Sequence, residues 1–248
     1  MNEKIKVEGV DPYKDNRPKR EQVEQMFDSI APAYDFMNTA MTFGLHRHWR
    51  DVALRAVLKF NPSHVLDVAT GTGDVAFRLK ELSPGLRITG IDLSEGMLAE
   101  AEKKLKTHPD WRDSIDFRCG DSLDLPFEDE TFDAVTVAYG VRNFQDLEKG
   151  YKEMYRVLKP GGIICVIELS VPSNFILKGG YNLYANHIIP SIGKLVSGDN
   201  RAYKYLPESI AACPQRDDMT ALMKTAGFNK AGWRSLTFGV VTIYLGRK

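Results

Sequence analysis

The chain has 248 residues, 43% of them apolar, which is enough for one α/β domain that buries a large core and carries a smaller addition. Its 33 Lys and Arg residues equal its 33 Asp and Glu residues, which argues against a protein that grips nucleic-acid phosphates. Three scattered cysteines, Cys119, Cys165 and Cys213, have neither metal-binding nor disulfide spacing. They predict reduced core thiols in a cytoplasmic protein that needs no metal.

The N-terminal quarter predicts an arm followed by a helical cap. Residues 1–20 are polar and charged and contain two prolines, which predicts a flexible arm and no secretory signal. The chain also lacks an apolar run of about 18 residues that could span a membrane. Apolar residues recur at helical spacing from Glu21 to Ile30 and from His48 to Leu58, so we expect a helical cap over residues 21–62.

From residue 63 onward, apolar runs alternate with amphipathic stretches. Buried strands are predicted at residues 64–69, 87–92, 114–119, 132–139 and 163–169. Helices are predicted at residues 75–82, 95–105 and 146–158, and Ser94 is the expected N-cap of the second. Strands and helices that alternate in this way form right-handed units around a parallel sheet, so residues 63–248 are predicted to form an α/β domain.

Two features follow the fifth predicted strand. Residues 171–214 are rich in aromatic side chains and break the alternation, which predicts an insertion that closes over a substrate. After a helix expected at residues 217–226, two strand-like runs, Ala231–Leu236 and Gly239–Leu245, are close enough to form an antiparallel hairpin.

A glycine-rich turn follows the first predicted strand and includes Asp67, Gly71, Thr72, Gly73 and Asp74. In an open parallel sheet, ligands lie beyond the carboxyl ends of the strands, and such a turn lets a ligand approach the backbone. Asp92 ends the second strand, where an acid can hold ribose hydroxyls. The same features fit a dinucleotide, because the turn matches the loose G-x-G-x-x-A pattern.

Charge favours one of these two ligands. A pyrophosphate is stabilised at a helix N-terminus that is free of other anions, but Asp67 and Asp74 flank this turn. Two carboxylates suit S-adenosylmethionine, which carries an ammonium and a sulfonium group. Asp121, after the third strand, is placed to accept a hydrogen bond from an adenine amino group, with Leu123 or Leu125 against the ring. Each acid could instead be a cap, turn or loop residue.

Longer stretches resemble a known family. Tyr34–Thr42, continuing through Gly44, His46 and Trp49, resembles the N-terminal signature of the ubiquinone/menaquinone biosynthesis C-methyltransferase family. Residues 156–170 resemble its second signature, residues 140–143 match its block after the fourth strand, and residues 187–210 match its distal insertion. The resemblance extends over nearly all of the chain after residue 20. Thr42 stands where the family commonly has serine, which keeps a hydroxyl at that position.

The resemblance implies a fold, a co-substrate and an activity. The fold is the class I methyltransferase Rossmann-like sheet of seven strands with the last strand antiparallel, and the co-substrate is S-adenosylmethionine. The activity is methyl transfer to a ring carbon of a prenylated hydroquinone, either demethylmenaquinol or the methoxy-benzoquinol of ubiquinone synthesis, and menaquinone is the preferred prediction. Matched by position, the residues implied to bind the co-substrate are Gly71, Thr72, Gly73, Asp92, Asp121 and Ser122, with Ala138 and Tyr139 beside the sulfonium.

Four residues are candidates for the chemistry on the ring. A hydroquinone carbon becomes nucleophilic when the neighbouring hydroxyl loses its proton, so the enzyme must align the ring, exclude water and help one proton to leave. Arg142 is the first candidate for stabilising the phenolate, and Asn143 for binding a ring oxygen. His187 and Tyr34 follow, His187 because its titration range suits a base. Alternatively, Arg142 is a salt-bridge residue, His187 is a core or lid histidine, and Tyr34 only packs the lid.

Several alternatives stay open on the sequence. Another small phenol or a sterol is a less favoured acceptor, and an NAD-dependent dehydrogenase is a disfavoured alternative of a different class. A prenylated acceptor predicts peripheral contact with the inner face of a membrane. The sequence leaves undecided the length of the prenyl chain, the identity of the base, and whether the protein forms a homodimer.

Overall fold

The predicted strands form one mixed sheet in the computed structural model, which describes residues 5–184 and 200–248. In this part of the chain the strands are β1 (His64–Val68), β2 (Arg87–Asp92), β3 (Ile115–Cys119), β4 (Phe132–Ala138), β5 (Leu158–Leu169), β6 (Asn229–Leu236) and β7 (Val241–Arg247). Their order across the sheet is β3-β2-β1-β4-β5-β7-β6. The first five strands are parallel, and β7 runs antiparallel to both β5 and β6. The predicted fold is therefore confirmed.

Helices cover both faces of this sheet and its carboxyl-terminal edge. They are α1 (Lys19–Ile30), α2 (Tyr34–Thr42), α3 (Leu45–Leu58), α4 (Asp74–Leu82), α5 (Glu95–Leu105), α6 (Leu147–Val157), α7 (Phe175–Leu183), α8 (Asn200–Ala212) and α9 (Asp217–Thr225). Ser94 caps α5 as predicted, because its side chain accepts a hydrogen bond from the Met97 backbone N–H. Asp146 caps α6 in the same way.

Two apolar clusters lie on opposite faces of the sheet, because successive strand residues point to opposite sides. In β1, Leu66 and Val68 belong to the cluster under α6 and α9, whereas Val65 belongs to the cluster under α3 and α4. A third cluster joins α1, α2, α5 and α8 beyond the carboxyl ends of the strands. The cap and the insertion therefore pack over one edge of the sheet, where α/β proteins bind their ligands.

The segment before α1 differs from the flexible arm that the sequence predicts. Val7 is fully buried in one of the two sheet clusters, and residues Lys6–Gly9 form a short 3-10 helix. The Glu8 carboxylate accepts a hydrogen bond from the Leu147 backbone N–H at 2.9 Å. Glu8 thus anchors the segment to α6, which polarity alone does not reveal.

Two further findings concern the cysteines and the membrane. Cys165 and Cys213 are buried as expected, but Cys119 is exposed at the end of β3, and all three are free thiols. Over residues 5–184 and 200–248, no helix is long and apolar enough to cross a membrane.

Candidate active site

Two neighbouring cavities lie at the carboxyl ends of the strands. The first, the acidic cleft, has a volume of about 70 Å³ between α1 and the ends of β1, β2 and β3, and its acidic residues are Glu24, Asp92 and Asp121. The second, the apolar chamber, has a volume of about 560 Å³ and is walled mainly by α1, α2, α3, α7 and α8. The residues that line both cavities are Phe27, Tyr34, Ala69, Gly71, Ala138 and Tyr139. A ligand that fills the cleft would therefore reach the chamber at this shared wall.

Backbone hydrogen bonds fix the glycine turn against Asp92. The Gly71 N–H donates to one oxygen of the Asp92 carboxylate at 2.7 Å, and the Ser94 N–H donates to the other at 2.9 Å. Gly71 has φ +57°, a left-handed conformation that favours glycine. Burial raises the pKa of Asp92, while the N–H donors counteract that rise. The predicted ribose-binding acid is thus held in place and lines the cleft.

Asp67, which the sequence suggests as a co-substrate ligand, lies beneath the turn and is only 1% exposed. Its two oxygens accept hydrogen bonds from the hydroxyls of Thr70 at 2.6 Å and Thr136 at 2.7 Å, and it lines neither cavity. Burial raises its pKa to about 7, against the effect of the two hydroxyl donors. Asp67 therefore supports the turn through Thr70 and ties β1 to β4 through Thr136. It reaches neither cavity, because the turn itself covers this end of β1.

Asp74, expected as a carboxylate that favours a cationic ligand, already has two cationic partners within the protein. Arg50 and Lys104 contact its two oxygens at 2.7 Å and 2.8 Å. Burial alone would raise the pKa of Asp74, but these two cations lower it to about 2. Lys104 also pairs with Asp35 of α2, and the Thr72 hydroxyl donates to Asp35 at 2.6 Å. The expected ligand Thr72 lines the chamber, and this charged cluster ties the cap to the glycine turn.

Packing around the turn leaves no room for a side chain at Gly73. It has φ +80°, and a Cβ there would lie 2.8 Å from the rings of Phe77 and Phe117. It lines neither cavity, so its contribution to a ligand site is the shape of the turn.

Asp121 and Ser122 line the far end of the acidic cleft, as the resemblance implies. The Asp121 carboxylate accepts a hydrogen bond from the Leu123 N–H at 2.8 Å and faces the Arg20 guanidinium at 3.3 Å. Leu123 lines the cleft, whereas Leu125 is buried in the core. Of the two leucines, Leu123 is therefore the one that a ligand in the cleft can contact.

Tyr139 stands at the shared wall beside Ala138, where the sulfonium is expected. Its backbone is left-handed, with φ +59°, and its hydroxyl is buried without a hydrogen-bond partner among the described residues. Burial raises the pKa of this phenol well above its usual value, so it stays protonated. A buried hydroxyl without a partner is costly, and it is placed to bind a ligand that enters from either cavity.

A buried ion pair lies at the floor of the chamber. Arg142 follows β4 in the short 3-10 turn Val141–Asn143, and its guanidinium contacts the Glu168 carboxylate of β5 at 2.8 Å. The guanidinium also donates to the Tyr139 carbonyl, and its Nε has no partner within the described part of the chain. Burial would lower the pKa of Arg142, but Glu168 raises it, so the group stays cationic. Arg142 therefore offers a buried positive charge and a free N–H at the chamber.

Adjacent residues of this 3-10 turn face different cavities. Arg142 lines the chamber, whereas Asn143 lines the cleft. The Tyr205 hydroxyl of α8 donates to the Asn143 side-chain oxygen at 3.0 Å. Tyr34 lines both cavities, and burial raises its pKa, which keeps it protonated. His187, the fourth candidate for the chemistry, lies outside the described residues.

The comparisons with known proteins agree with this geometry. The model of the ubiE/COQ5 methyltransferase family matches residues 15–248. The chain belongs to this family. A relative from Porphyromonas gingivalis, named demethylmenaquinone methyltransferase, is 48% identical over 242 residues, which covers 97% of this chain and 98% of the relative. A Geotalea daltonii relative, named ubiquinone/menaquinone biosynthesis C-methyltransferase UbiE, is 42% identical over 93% of this chain and 97% of its own length.

Solved structures support the fold of this ubiE/COQ5 family member. The cyclase SpnF matches with a TM-score of 0.68 at 20% identity, over 94% of this chain and 97% of that chain. A Haemonchus contortus phosphoethanolamine N-methyltransferase, solved with S-adenosyl-L-methionine, matches with a TM-score of 0.57 at 17% identity, over 79% of this chain and 52% of that chain. The predicted family, enzyme class and fold are therefore confirmed. The roles of individual site residues stay predictions.

Three residues near the site have no role in the sequence prediction. Glu168 is an acid in the apolar run Ile163–Leu169 of β5, and a buried acid requires a partner, which is a signal for a site. Tyr205 lies in the insertion and gives no such signal. His46 lines the chamber on α3 and is recognisable only as part of the N-terminal signature. Over the described residues, no group of three or more His, Cys, Asp or Glu side chains is placed to hold a metal ion.

Proposed function

We propose that this enzyme transfers a methyl group from S-adenosylmethionine to a ring carbon of a prenylated hydroquinone, with demethylmenaquinol as the acceptor. The observation that carries the proposal is the apolar chamber of about 560 Å³, which shares a wall with the acidic cleft and has Arg142 at its floor. The methoxy-benzoquinol of ubiquinone synthesis is the second candidate, because the name of the Geotalea daltonii relative includes both pathways.

The residues of the cleft suit S-adenosylmethionine, which supplies a methyl group activated on a sulfonium sulfur. Asp92 can accept hydrogen bonds from both ribose hydroxyls, since its carboxylate lines the cleft. Asp121 and Ser122 can bind the adenine edge beside Leu123. The amino-acid end of the molecule would then lie along Gly71 and Thr72, and the methyl group would point through the shared wall into the chamber.

Arg142 would stabilise the acceptor in its reactive form. When the hydroquinone hydroxyl ionises, negative charge moves onto the neighbouring ring carbon, and that carbon attacks the methyl group in line. A carbon–carbon bond forms, the carbon–sulfur bond breaks, and the ring carbon loses its hydrogen as a proton to restore aromaticity. A cation buried beside the phenolate oxygen, with its own counter-ion Glu168 fixed behind it, lowers the cost of the ionised state.

Removal of the two protons needs a group other than Arg142, because its guanidinium stays protonated. His46 suits this task by its hydrogen bonds. The Thr42 hydroxyl donates its hydrogen to the Asn38 carbonyl at 2.6 Å, so the His46 Nδ1, which lies 2.7 Å from that hydroxyl, must donate to it. Nε2 then carries the lone pair, and burial lowers the pKa of His46, which keeps the ring neutral. The hydroxyl proton would pass to Nε2 directly or through a water, and the ring-carbon proton would leave to water after methyl transfer.

Methylation of a defined quinol tests the proposal. The enzyme is incubated with S-adenosylmethionine and demethylmenaquinone under reducing conditions, and the product is identified by its mass. We expect one added methyl group on the naphthoquinol ring and none when the quinone is kept oxidised, because the oxidised ring has no phenolate. A parallel reaction with the methoxy-benzoquinol separates the two candidate acceptors. Transfer to neither reduced ring would overturn the proposal.

A further inference from the structure

We infer that the rim of the apolar chamber is a docking surface for an anionic lipid bilayer. The rim is formed by Phe43 at the end of α2, Leu45 at the start of α3, Leu177 in α7 and Phe238 between β6 and β7, and all four line the chamber. The inference deepens the proposed function, because it says where a lipid-borne acceptor would enter.

The two phenylalanines of the rim contribute little to folding. Phe43 is 82% exposed and Phe238 is 79% exposed, so their rings are largely in water. Phe175 at the start of α7 is also exposed, at 88%. Large aromatic side chains this exposed, two of which line the same opening, are typical of a surface that contacts another apolar phase.

The backbone of both rim phenylalanines is strained. Phe43 has φ +50° and Phe238 has φ +57°, in the left-handed region that bulky residues rarely adopt. Glycine or asparagine would fill such turn positions more readily. A strained aromatic residue that is also exposed suggests a role outside the folded chain, and contact with lipid supplies one.

The charge around the rim selects the type of membrane. The stretches that carry the four rim residues, residues 36–50, 169–184 and 229–247, contain no Asp or Glu, although the chain as a whole has equal numbers of acids and bases. Arg47 and Arg234 are exposed, two residues after Leu45 and four residues before Phe238 in the sequence, and neither makes an ion pair with a described residue. Exposed arginines beside apolar rings suit anionic headgroups at the surface of a bilayer.

The acceptor's path follows from this placement. If the rim meets the bilayer, the open side of the chamber faces the acyl chains, and a prenyl tail can stay in apolar surroundings while the quinol ring advances to Arg142. The cleft opens beside α1, so the water-soluble co-substrate would enter from the other side of the shared wall.

Co-sedimentation with vesicles that contain no quinol tests the inference. The probes are vesicles of phosphatidylglycerol mixed with phosphatidylcholine, and vesicles of phosphatidylcholine alone. We expect the wild-type enzyme to bind the anionic vesicles and to bind the neutral ones more weakly. The double variant Phe43→Asn/Phe238→Asn should lose more than about tenfold in partitioning, because two rings no longer enter the bilayer. Asparagine tolerates left-handed backbone, so the variant should keep its fold, which thermal unfolding checks.

Phe60→Asn is the matched control. Phe60 is exposed but lies before β1, at the opposite edge of the sheet from the chamber, and its replacement should leave vesicle binding unchanged. Equal binding of the wild type and the double variant, or no binding by the wild type, would overturn the inference. A wild-type dimer that the double variant breaks in the absence of vesicles would assign the rim to a second copy of the chain instead. Because no quinol is present, these outcomes are independent of whether the proposed methyl transfer occurs.

Discussion

The acidic cleft and the apolar chamber are built in different ways. The cleft is formed mainly by residues that directly follow consecutive strands of the sheet, and backbone N–H groups hold its acids in place. The chamber is walled by helices from the N-terminal cap and from the insertion after β5, which lie more than a hundred residues apart in the chain. The strand ends therefore supply most of one cavity, which α1 closes on one side, whereas the other cavity exists only when two distant segments pack together.

This difference separates binding of the methyl donor from the reaction of the acceptor. The residues of the shared wall belong to both cavities, but Arg142 faces the chamber and Asp92 faces the cleft. Changes on the chamber side should lower turnover and leave donor affinity nearly intact, and changes on the cleft side should do the reverse. The following predictions test that separation.

The largest effect is expected for Arg142→Ala. Removal of the buried cation should lower kcat by about 10²- to 10³-fold, the range observed when one preorganised donor to a developing anion is lost. The affinity for S-adenosylmethionine should change by less than about threefold, since Arg142 does not line the cleft. Single-turnover rates and calorimetric titration of the donor measure the two quantities.

Arg142→Ala leaves Glu168 buried without its partner, which is strongly destabilising. A fall in kcat caused by unfolding must therefore be distinguished from one caused by loss of phenolate stabilisation. The double variant Arg142→Leu/Glu168→Gln removes both charges and serves as the control. If the double variant folds and binds the donor but recovers normal turnover, Arg142 has no role in the reaction.

The pH dependence of stability tests whether Asp67 supports the cleft from beneath. Its folded pKa of about 7 exceeds the ordinary value of 3.8, so the folded state retains a proton that the unfolded state releases. The stabilisation that this proton gives the folded state is complete below pH 3.8 and is lost as the pH rises through about 7. Between about pH 5 and pH 8 this loss amounts to about 2–3 kcal/mol.

Asp67→Asn removes the titrating group, so its stability should vary less over this range than that of the wild type. Urea unfolding at both pH values, taken as the difference between the two proteins, isolates the contribution of Asp67. If the unfolding free energies of the two proteins change with pH by the same amount, Asp67 is ionised throughout this range. Its assignment as a buried supporting acid would then be wrong.

Asp92→Ala should act on the cleft alone. Charged hydrogen bonds of this kind contribute about 1.5–3 kcal/mol, which corresponds to a loss of donor affinity of about 10- to 150-fold. At saturating donor, kcat should stay within about threefold of the wild type if the chamber is unaffected. Asp124→Ala is a matched control, because Asp124 is an exposed acid that lines neither cavity. A fall in kcat as large as the fall in affinity would contradict the separation of the two cavities.

Most of the cleft could be predicted from the sequence because its residues are local to strand ends. Gly71, Asp92, Asp121 and Ser122 all line it as expected. Asp67 and Asp74 were less predictable, because the sequence shows a carboxylate but not its partners: two threonine hydroxyls surround the first, and Arg50 and Lys104 neutralise the second. Their charges therefore do not explain the preference for a cationic donor, and Asp92 and Asp121 are the acids that remain in the cleft.

The chamber was predictable only through the family resemblance. Arg142 and Tyr34 both line it, but their contacts come from distant positions: Glu168 lies 26 residues beyond Arg142. The packing of Val7 and the anchoring by Glu8 gave no signal either, because the segment before α1 is mostly polar. Contacts between distant segments depend on how the cap and the insertion pack, and neither periodicity nor motif spacing determines that.

The smallest effect is expected for Tyr205→Phe, and it tests the boundary between the two cavities. The Tyr205 hydroxyl reaches from α8 to Asn143, which faces the cleft, so it links the insertion to the turn that carries Arg142. A hydrogen bond of this kind contributes about 1 kcal/mol, so kcat should fall about fivefold while the donor affinity changes less. If this bond instead positions Asn143 in the cleft, donor affinity would fall by a larger factor than kcat. The insertion would then contribute to both cavities. Asn143→Ala separates these outcomes, because it removes the same bond from the cleft side. If the two single changes have equal effects and the double variant loses nothing further, the whole effect comes from this one contact.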